Sequence, residues 1–178
     1  MALKFFNVMK RIYIFRILLA SLSLALGIWI FSNSLTSGTA SSQSSAGVTK
    51  IVQDIINAIT PQESIPIKVD EAFIRKAAHF CEYALFGFLL FFTYLSFAGG
   101  SNKKRRLIIV FFSVAMVWPI IDETLQLFSE GRACSVFDVL LDMSGEAFGG
   151  LTAFGLFCLC ILLFGLNKNK RNVSADKN

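Results

Sequence analysis

Six carboxylates and the chain's single histidine collect at the ends of its apolar segments: Glu82, Asp122, Glu123, Asp138, Asp142 and Glu146 with His79, accompanied by Lys76, Tyr83, Gln126 and Arg132. Hydrocarbon offers a carboxylate neither water nor donors, so ionisable groups within a membrane segment are candidates for a binding or catalytic site. Lys76, His79, Glu82 and Tyr83 recur at three- and four-residue spacing, which places them on one helical face. Beside Glu82, His79 can serve as a general base, a metal ligand or a pH-sensitive donor. The plainer alternative is an interfacial histidine bonded to Glu82 or to a loop carbonyl. Asp122 and Gln126 share a second face, with Glu123 turned about 100° away, and Asp138, Asp142 and Glu146 form a stripe at every fourth residue. Such a concentration of carboxylates does not ionise fully without compensation. The partners within reach are Arg75, Lys76, His79, Arg132 or an external cation. Arg132 suits either a bidentate pair with Asp122 or Glu123, or a phosphate or carboxylate ligand.

The elements that must hold these groups are membrane-length. Of 178 residues 54% are hydrophobic, 16% are charged and the mean hydropathy is +0.62, which places the chain among integral membrane proteins. The spacing predicts spans over about 12–31, 77–98, 107–127 and 137–166. The second and third reach full length only by taking in His79 to Tyr83 and Asp122 to Gln126. Counting about 1.5 Å per residue from the inner edges, His79 sits about 28 Å up and Asp122 about 22 Å up, both near the outer boundary. Lys4, Lys10, Arg11 and Arg16, then Lys103, Lys104, Arg105 and Arg106, then Lys168, Lys170, Arg171 and Lys177 flank the opposite ends. By the positive-inside rule these are cytoplasmic, so four spans with both termini inside are expected. The net charge of +5 is accounted for by these flanks, and no nucleic-acid partner is expected.

The first span exceeds a secretory h-region in length and is expected to be a retained anchor. Residues 32–47, rich in Ser, Thr, Gly and Ala, are expected to form a flexible outer loop. Val48, Ile51, Val52, Ile55, Ile56 and Ile59 then mark a short amphipathic helix over 47–60, ended by Pro61. It is too short to span and suits the outer interface or the mouth of the bundle. Residues 99–106 are expected to be a cytoplasmic turn. Pro119 can bend the third span beneath its carboxylates. Gly145, Gly149 and Gly150 mark a close-packing seam, suited to the bundle or to a homodimer. Cys81 and Cys134 both fall at the outer side, where a disulfide is conceivable; Cys158 and Cys160 fall deep in the last span. The expected fold is therefore all-α, a single domain over 1–178 built as an antiparallel four-helix membrane bundle with one outer helix.

The strings RKAAHFCEYALFGFLL and DETLQLFSEGRACSVFDVLLDMSGEAFGG resemble the VanZ-like family of small bacterial membrane proteins. The pattern is carried by Lys76, His79, Phe80, Glu82, Tyr83, Asp122, Glu123, Gln126, Gly131, Arg132, Asp138, Gly145 and Gly149, over roughly 75–150. Asp142 stands where the family usually has Asn, and Glu130 where a Pro is common. The resemblance implies a multi-pass protein of the bacterial cell membrane with a cell-envelope role, the type member being linked to teicoplanin resistance.

Three functions are open on these residues. The first is binding or shielding an envelope component, such as a membrane lipid, a lipid-linked wall precursor or a glycopeptide, through Lys76, His79, Glu82, Tyr83, Asp122, Glu123, Gln126, Arg132, Asp138 and Asp142. The second is an intramembrane enzyme acting on a lipid head group, with His79 as general base paired to Glu82, and Asp122, Glu123 and Asp138 binding a divalent cation or activating water. No Ser-His-Asp order, HExxH or paired-His spacing supports it, and no metal or cofactor is expected. The third, ion-coupled transport, lacks matching polar residues in the inner halves of the spans.

Overall fold

A computed structural model describes residues 2–60, 68–98 and 101–175. Five helices follow one another: α1 (Ala2–Ser34), α2 (Gly38–Ile59), α3 (Glu71–Phe97), α4 (Ser101–Gln126) and α5 (Val136–Ala175). No strand occurs among the described residues. Three stretches are long and apolar enough to cross a membrane: Met9–Ser34, Glu71–Phe97 and Val136–Gly165, with mean hydropathies of 2.2, 1.6 and 2.3. Their large apolar side chains point outward, Leu18, Leu151 and Phe164 among them, while Asp122, Glu123, Asp142 and Glu146 are buried. That inversion of the soluble-protein pattern suits a chain whose surroundings are hydrocarbon.

The closest helix pair is α3 with α5. A Cβ placed on Gly145 would lie 2.5 Å from the Phe80 carbonyl oxygen, one on Gly149 would collide with the Ala84 carbonyl, and one on Gly87 with that of Glu146. Contacts advance together along both helices, so they run side by side in the same direction. The seam at Gly145 and Gly149 is therefore used inside one chain, and α3 answers with Gly87. Hydrogen bonds join Ser23 to Thr93 at 2.9 Å and Asn33 to Glu82 at 3.4 Å, so α1 runs opposite to α3. A core of Ile30, Tyr83, Phe86 and Leu90 fills the centre. Trp118 of α4 stacks on Phe31 at 4.5 Å and tilts against Phe86 at 5.2 Å, in space that Gly27 leaves open. Pro119 is buried within an α4 that stays continuous.

Several boundaries differ from the sequence reading. Residues 38–47 are the first half of α2, not a loop. Ser37 caps the helix, its hydroxyl accepting from Ala40 N at 3.3 Å, and Gly38 N donates to the Glu130 carbonyl at 2.9 Å. The hydroxyls of Ser44, Ser45 and Thr49 donate to carbonyls one turn back. A composition too polar to bury a core still makes a helix here, because α2 has no buried residue to supply. Residues 101–106, expected in a turn, belong to α4. All four long helices extend past their apolar cores at one or both ends. Pro61, expected to stop α2, lies outside the described residues, and the chain turns out of α2 at Thr60, whose N–H is bonded to the Ile56 carbonyl.

Candidate functional site

Four helices and one loop converge on the polar cluster. From α3, Tyr83 is fully buried, His79 is half-buried and Lys76 is exposed. The Asp70 carboxylate caps the start of that helix by accepting from Ala72 N at 3.1 Å, which fixes the register of everything above. From α4, Asp122, Glu123 and Gln126 are all buried. From α5, Asp138 is half-buried, and Asp142 and Glu146 are buried one and two turns deeper. Of the ten residues predicted for the site, all lie in this one region.

Their pairing departs from expectation in three places. His79 Nδ1 faces Asp142 Oδ1 at 3.9 Å rather than Glu82, because α3 lies closest to α5. Glu82 turns instead toward α1 and accepts from Asn33 Nδ2 at 3.4 Å. Arg132 forms no ion pair with Asp122 or Glu123; its guanidinium donates to Thr36 Oγ1 at 3.2 Å. Among the described residues the only other ion pair is Lys76 with Asp138, at 2.8 Å. The conceivable Cys81–Cys134 disulfide is not formed, and both thiols are free and exposed.

Glu123 looks at a neighbour different from that of Asp122, as its 100° offset implies. Its Oε2 accepts from Gln126 Nε2 at 2.6 Å and its Oε1 from Ser135 N at 2.8 Å. One buried carboxylate thus ties the end of α4 to the start of α5. Ser129 Oγ donates to the Ser34 carbonyl at 2.9 Å, and Gly131 turns the chain with φ of 74°. The loop that carries Arg132 is therefore anchored to α1, α4 and α5. Burial first, and then the neighbouring Arg75 guanidinium, push the Arg132 pKa below its ordinary value.

Asp122, Asp142 and Glu146 form a second class of acid. Every oxygen of the three is buried without a hydrogen-bond donor among the described residues. The Tyr83 and Ser34 hydroxyls approach Asp122, yet neither closes a hydrogen bond. One potential ligand atom from each of His79, Asp122 and Asp142 lies within 4.8 Å of the other two.

The region opens as two adjoining cavities. One, of about 380 Å³, is lined by Lys76, Glu123, Asp138 and Asp142; the other, of about 520 Å³, by Asn33, Glu82 and the Ser41 to Ser45 face of α2. Arg75, His79 and Arg132 line both and form the partition. The sequence points to one cluster here, and Asn33, Ser34, Thr36, Ser129 and Ser135 are not among its candidates. Asn33 and Ser34 were detectable as polar residues at the outer end of the first apolar run; the two loop serines carried no signal.

A family model, VanZ/LLP1, matches residues 13–165. The chain belongs to the VanZ/LLP1 family. That match takes in all ten predicted site residues and all five helices in full or in large part, α1 and α5 losing only their terminal extensions. No curated protein and no solved structure matches this VanZ-family chain. The family and the three apolar helices support a helical membrane protein, and the reaction or ligand must be argued from the geometry.

Proposed function

We propose that this VanZ-family chain is a single-domain, multi-pass protein of the bacterial cell membrane that binds an anionic cell-envelope component in its outward-facing cleft. In this reading α4 is the fourth span, the bundle is antiparallel in chain order, and both termini are cytoplasmic with the basic flanks. The cluster then faces outward, and α2 rests on the outer membrane interface. Its Val48, Ile51, Ile55 and Ile59 are all exposed, which supports an apolar face turned to lipid.

The observation that carries the proposal is the cationic partition. Arg75 stands close enough to disfavour the charge on Arg132, and neither has an ion pair among the described residues. Two guanidiniums so placed at a cavity mouth fit a phosphate or carboxylate, above all the phosphorylated head group of a membrane lipid or lipid-linked wall precursor. Holding such a precursor shields it, and so links the site to teicoplanin-type glycopeptide resistance or to envelope homeostasis.

Mass spectrometry of lipids co-purified with the wild-type protein and with Arg132→Ala tests this. An anionic envelope lipid retained by the wild type and lost from Arg132→Ala is the expected result. Identical lipid content in both, with unchanged glycopeptide susceptibility and envelope composition in the gene-deleted strain, refutes it.

A second reading, an intramembrane enzyme acting on the same head group, draws on His79 beside buried Asp142. In it His79 takes a proton from the attacking group while Asp142 orients the imidazole. A lipid pool that stays unchanged on His79→Ala removes this reading and leaves binding.

A further inference from the structure

We infer that His79, Asp122 and Asp142 form the core of a divalent metal site at the floor of the smaller cavity, taking an ion of the Mn²⁺ or Zn²⁺ class. The three ligand atoms come from three helices and lie within 4.8 Å of one another. Two arms of about 2.0 Å meeting at a tetrahedral angle place ligand atoms about 3.3 Å apart. His79 Nδ1 and Asp142 Oδ1, now 3.9 Å apart, need to close by about 0.6 Å, and a pair at the 4.8 Å limit by about 1.5 Å, within the reach of rotamer adjustment.

The acids alone do not carry the inference. Asp122 and Asp142 are 0% and 1% exposed, and all four of their oxygens lack a donor. The fully buried Tyr83 and Ser34 hydroxyls border Asp122 and are equally unsatisfied. The two hydroxyls can supply at most two protons to four carboxylate oxygens, so they cannot satisfy both acids when these are ionised, and buried groups left this way are strongly destabilising. A divalent cation supplies the missing positive charge and directs both carboxylates, leaving the hydroxyls to donate to the carboxylate oxygens that face away from it. The cavity gives it a way in, since His79 and Asp142 line that cavity.

The donor set decides the class of ion. Two carboxylates with one imidazole favour Mn²⁺ or Zn²⁺ over Ca²⁺, whose sites are built from oxygen alone. No sequence motif announces the site, because the ligands are one per helix rather than paired on one helix as in HExxH. A bound cation also presents positive charge to the cavity from below, opposite Arg75 and Arg132. That arrangement would suit the anionic ligand of the proposed function, yet the metal site stands without it.

The test uses the full-length protein in detergent, stripped with a chelator and titrated with Mn²⁺, Zn²⁺ or Ca²⁺ alone. One Mn²⁺ or Zn²⁺ per chain is expected, with Asp122→Asn and Asp142→Asn each weakening it by at least the roughly 10- to 100-fold that losing even an outer-shell partner costs. Lys50→Ala, on α2 and lining neither cavity, leaves it unchanged. Should the Asn variants fail to fold, electron spin-echo spectroscopy of wild-type protein loaded with Mn²⁺ still reads imidazole nitrogen coupling to the metal, lost in His79→Gln. Absence of stoichiometric binding, a site that takes only Ca²⁺, or binding that survives in Asp122→Asn/Asp142→Asn each overturns the inference. No envelope ligand is present in these measurements, so their failure is distinct from failure of the lipid-binding reading.

Discussion

Replacing Gly145 by alanine probes the seam that holds His79 against Asp142. The new methyl would sit 2.5 Å from the Phe80 carbonyl oxygen and 3.2 Å from Tyr83 Cβ, about 0.9 Å short of ordinary contact with a backbone atom that cannot rotate away. Relief requires α5 to withdraw from α3. Overpacking of this kind costs about 1–3 kcal/mol. Alanine also gains about 1 kcal/mol over glycine in a helix interior, so the net change for Gly145→Ala lies between roughly neutral and about 2 kcal/mol destabilising. Gly155 on the same helix supplies the control, because a Cβ there meets nothing within 4 Å. Gly155→Ala keeps the propensity gain without the clash, and the two variants should therefore differ by about 1–3 kcal/mol. At about 2–4 °C per kcal/mol for a chain of this size, that is a gap of about 2–12 °C in Tm. Thermal unfolding in one detergent, followed by the fluorescence of an environment-sensitive thiol dye, reads it. Equal Tm values for Gly145→Ala and Gly155→Ala would refute the argument that backbone contact at this glycine sets the α3–α5 distance.

Cys81 and Cys134 are free and exposed near the cluster, so a membrane-impermeant maleimide added to intact cells should label both. Cys158 and Cys160 should stay unlabelled; the reverse pattern overturns the proposed orientation. Glu123→Ala removes the acceptor of Ser135 N and Gln126 Nε2, at a cost of about 1–3 kcal/mol for the buried groups left unmatched. Faster amide exchange confined to 127–136 should accompany it, and unchanged exchange there would show that the loop is held by other contacts. Lys76→Ala should shift stability by no more than about 1 kcal/mol in denaturant titration, because its pair with Asp138 is substantially exposed. Ile51→Glu with Ile55→Glu should raise solvent accessibility along α2, read by a spin label at Gly47, where a side chain has open space.

Which polar residues converge was legible from sequence, and their pairing was not. Polar groups at helix ends are costly enough in hydrocarbon to stand out in a single chain, which is why all ten predicted residues converge. Which carboxylate meets which base depends on helix neighbourhood, and that is set by Gly87, Gly145 and Gly149. Only the last two were read as a seam. Without Gly87 on the opposing face, nothing in the sequence links α5 to α3 rather than to α4, and His79 stays open between Glu82 on its own helix, a loop carbonyl and the acids of α5. The Ser/Thr/Gly/Ala stretch misled for a different reason: burial capacity was taken as the condition for helix, whereas α2 is capped by Ser37 and closes its hydroxyls on its own carbonyls.

Two acids one residue apart on α4 show how the cluster divides its work. Glu123 has both oxygens engaged by Gln126 and Ser135 and holds a loop in place. Asp122, turned by about 100°, has neither oxygen satisfied and faces Tyr83, Ser34, His79 and Asp142. A protein that needed carboxylates only to anchor its helices would have matched both to donors, since an unmatched buried acid costs more than an apolar side chain of similar size. Asp122, Asp142 and Glu146 are the acids with every oxygen buried and unmatched among the described residues. On the readings proposed above, a cation at His79, Asp122 and Asp142 and an anionic ligand beside Arg75 and Arg132 would supply partners that the chain itself does not.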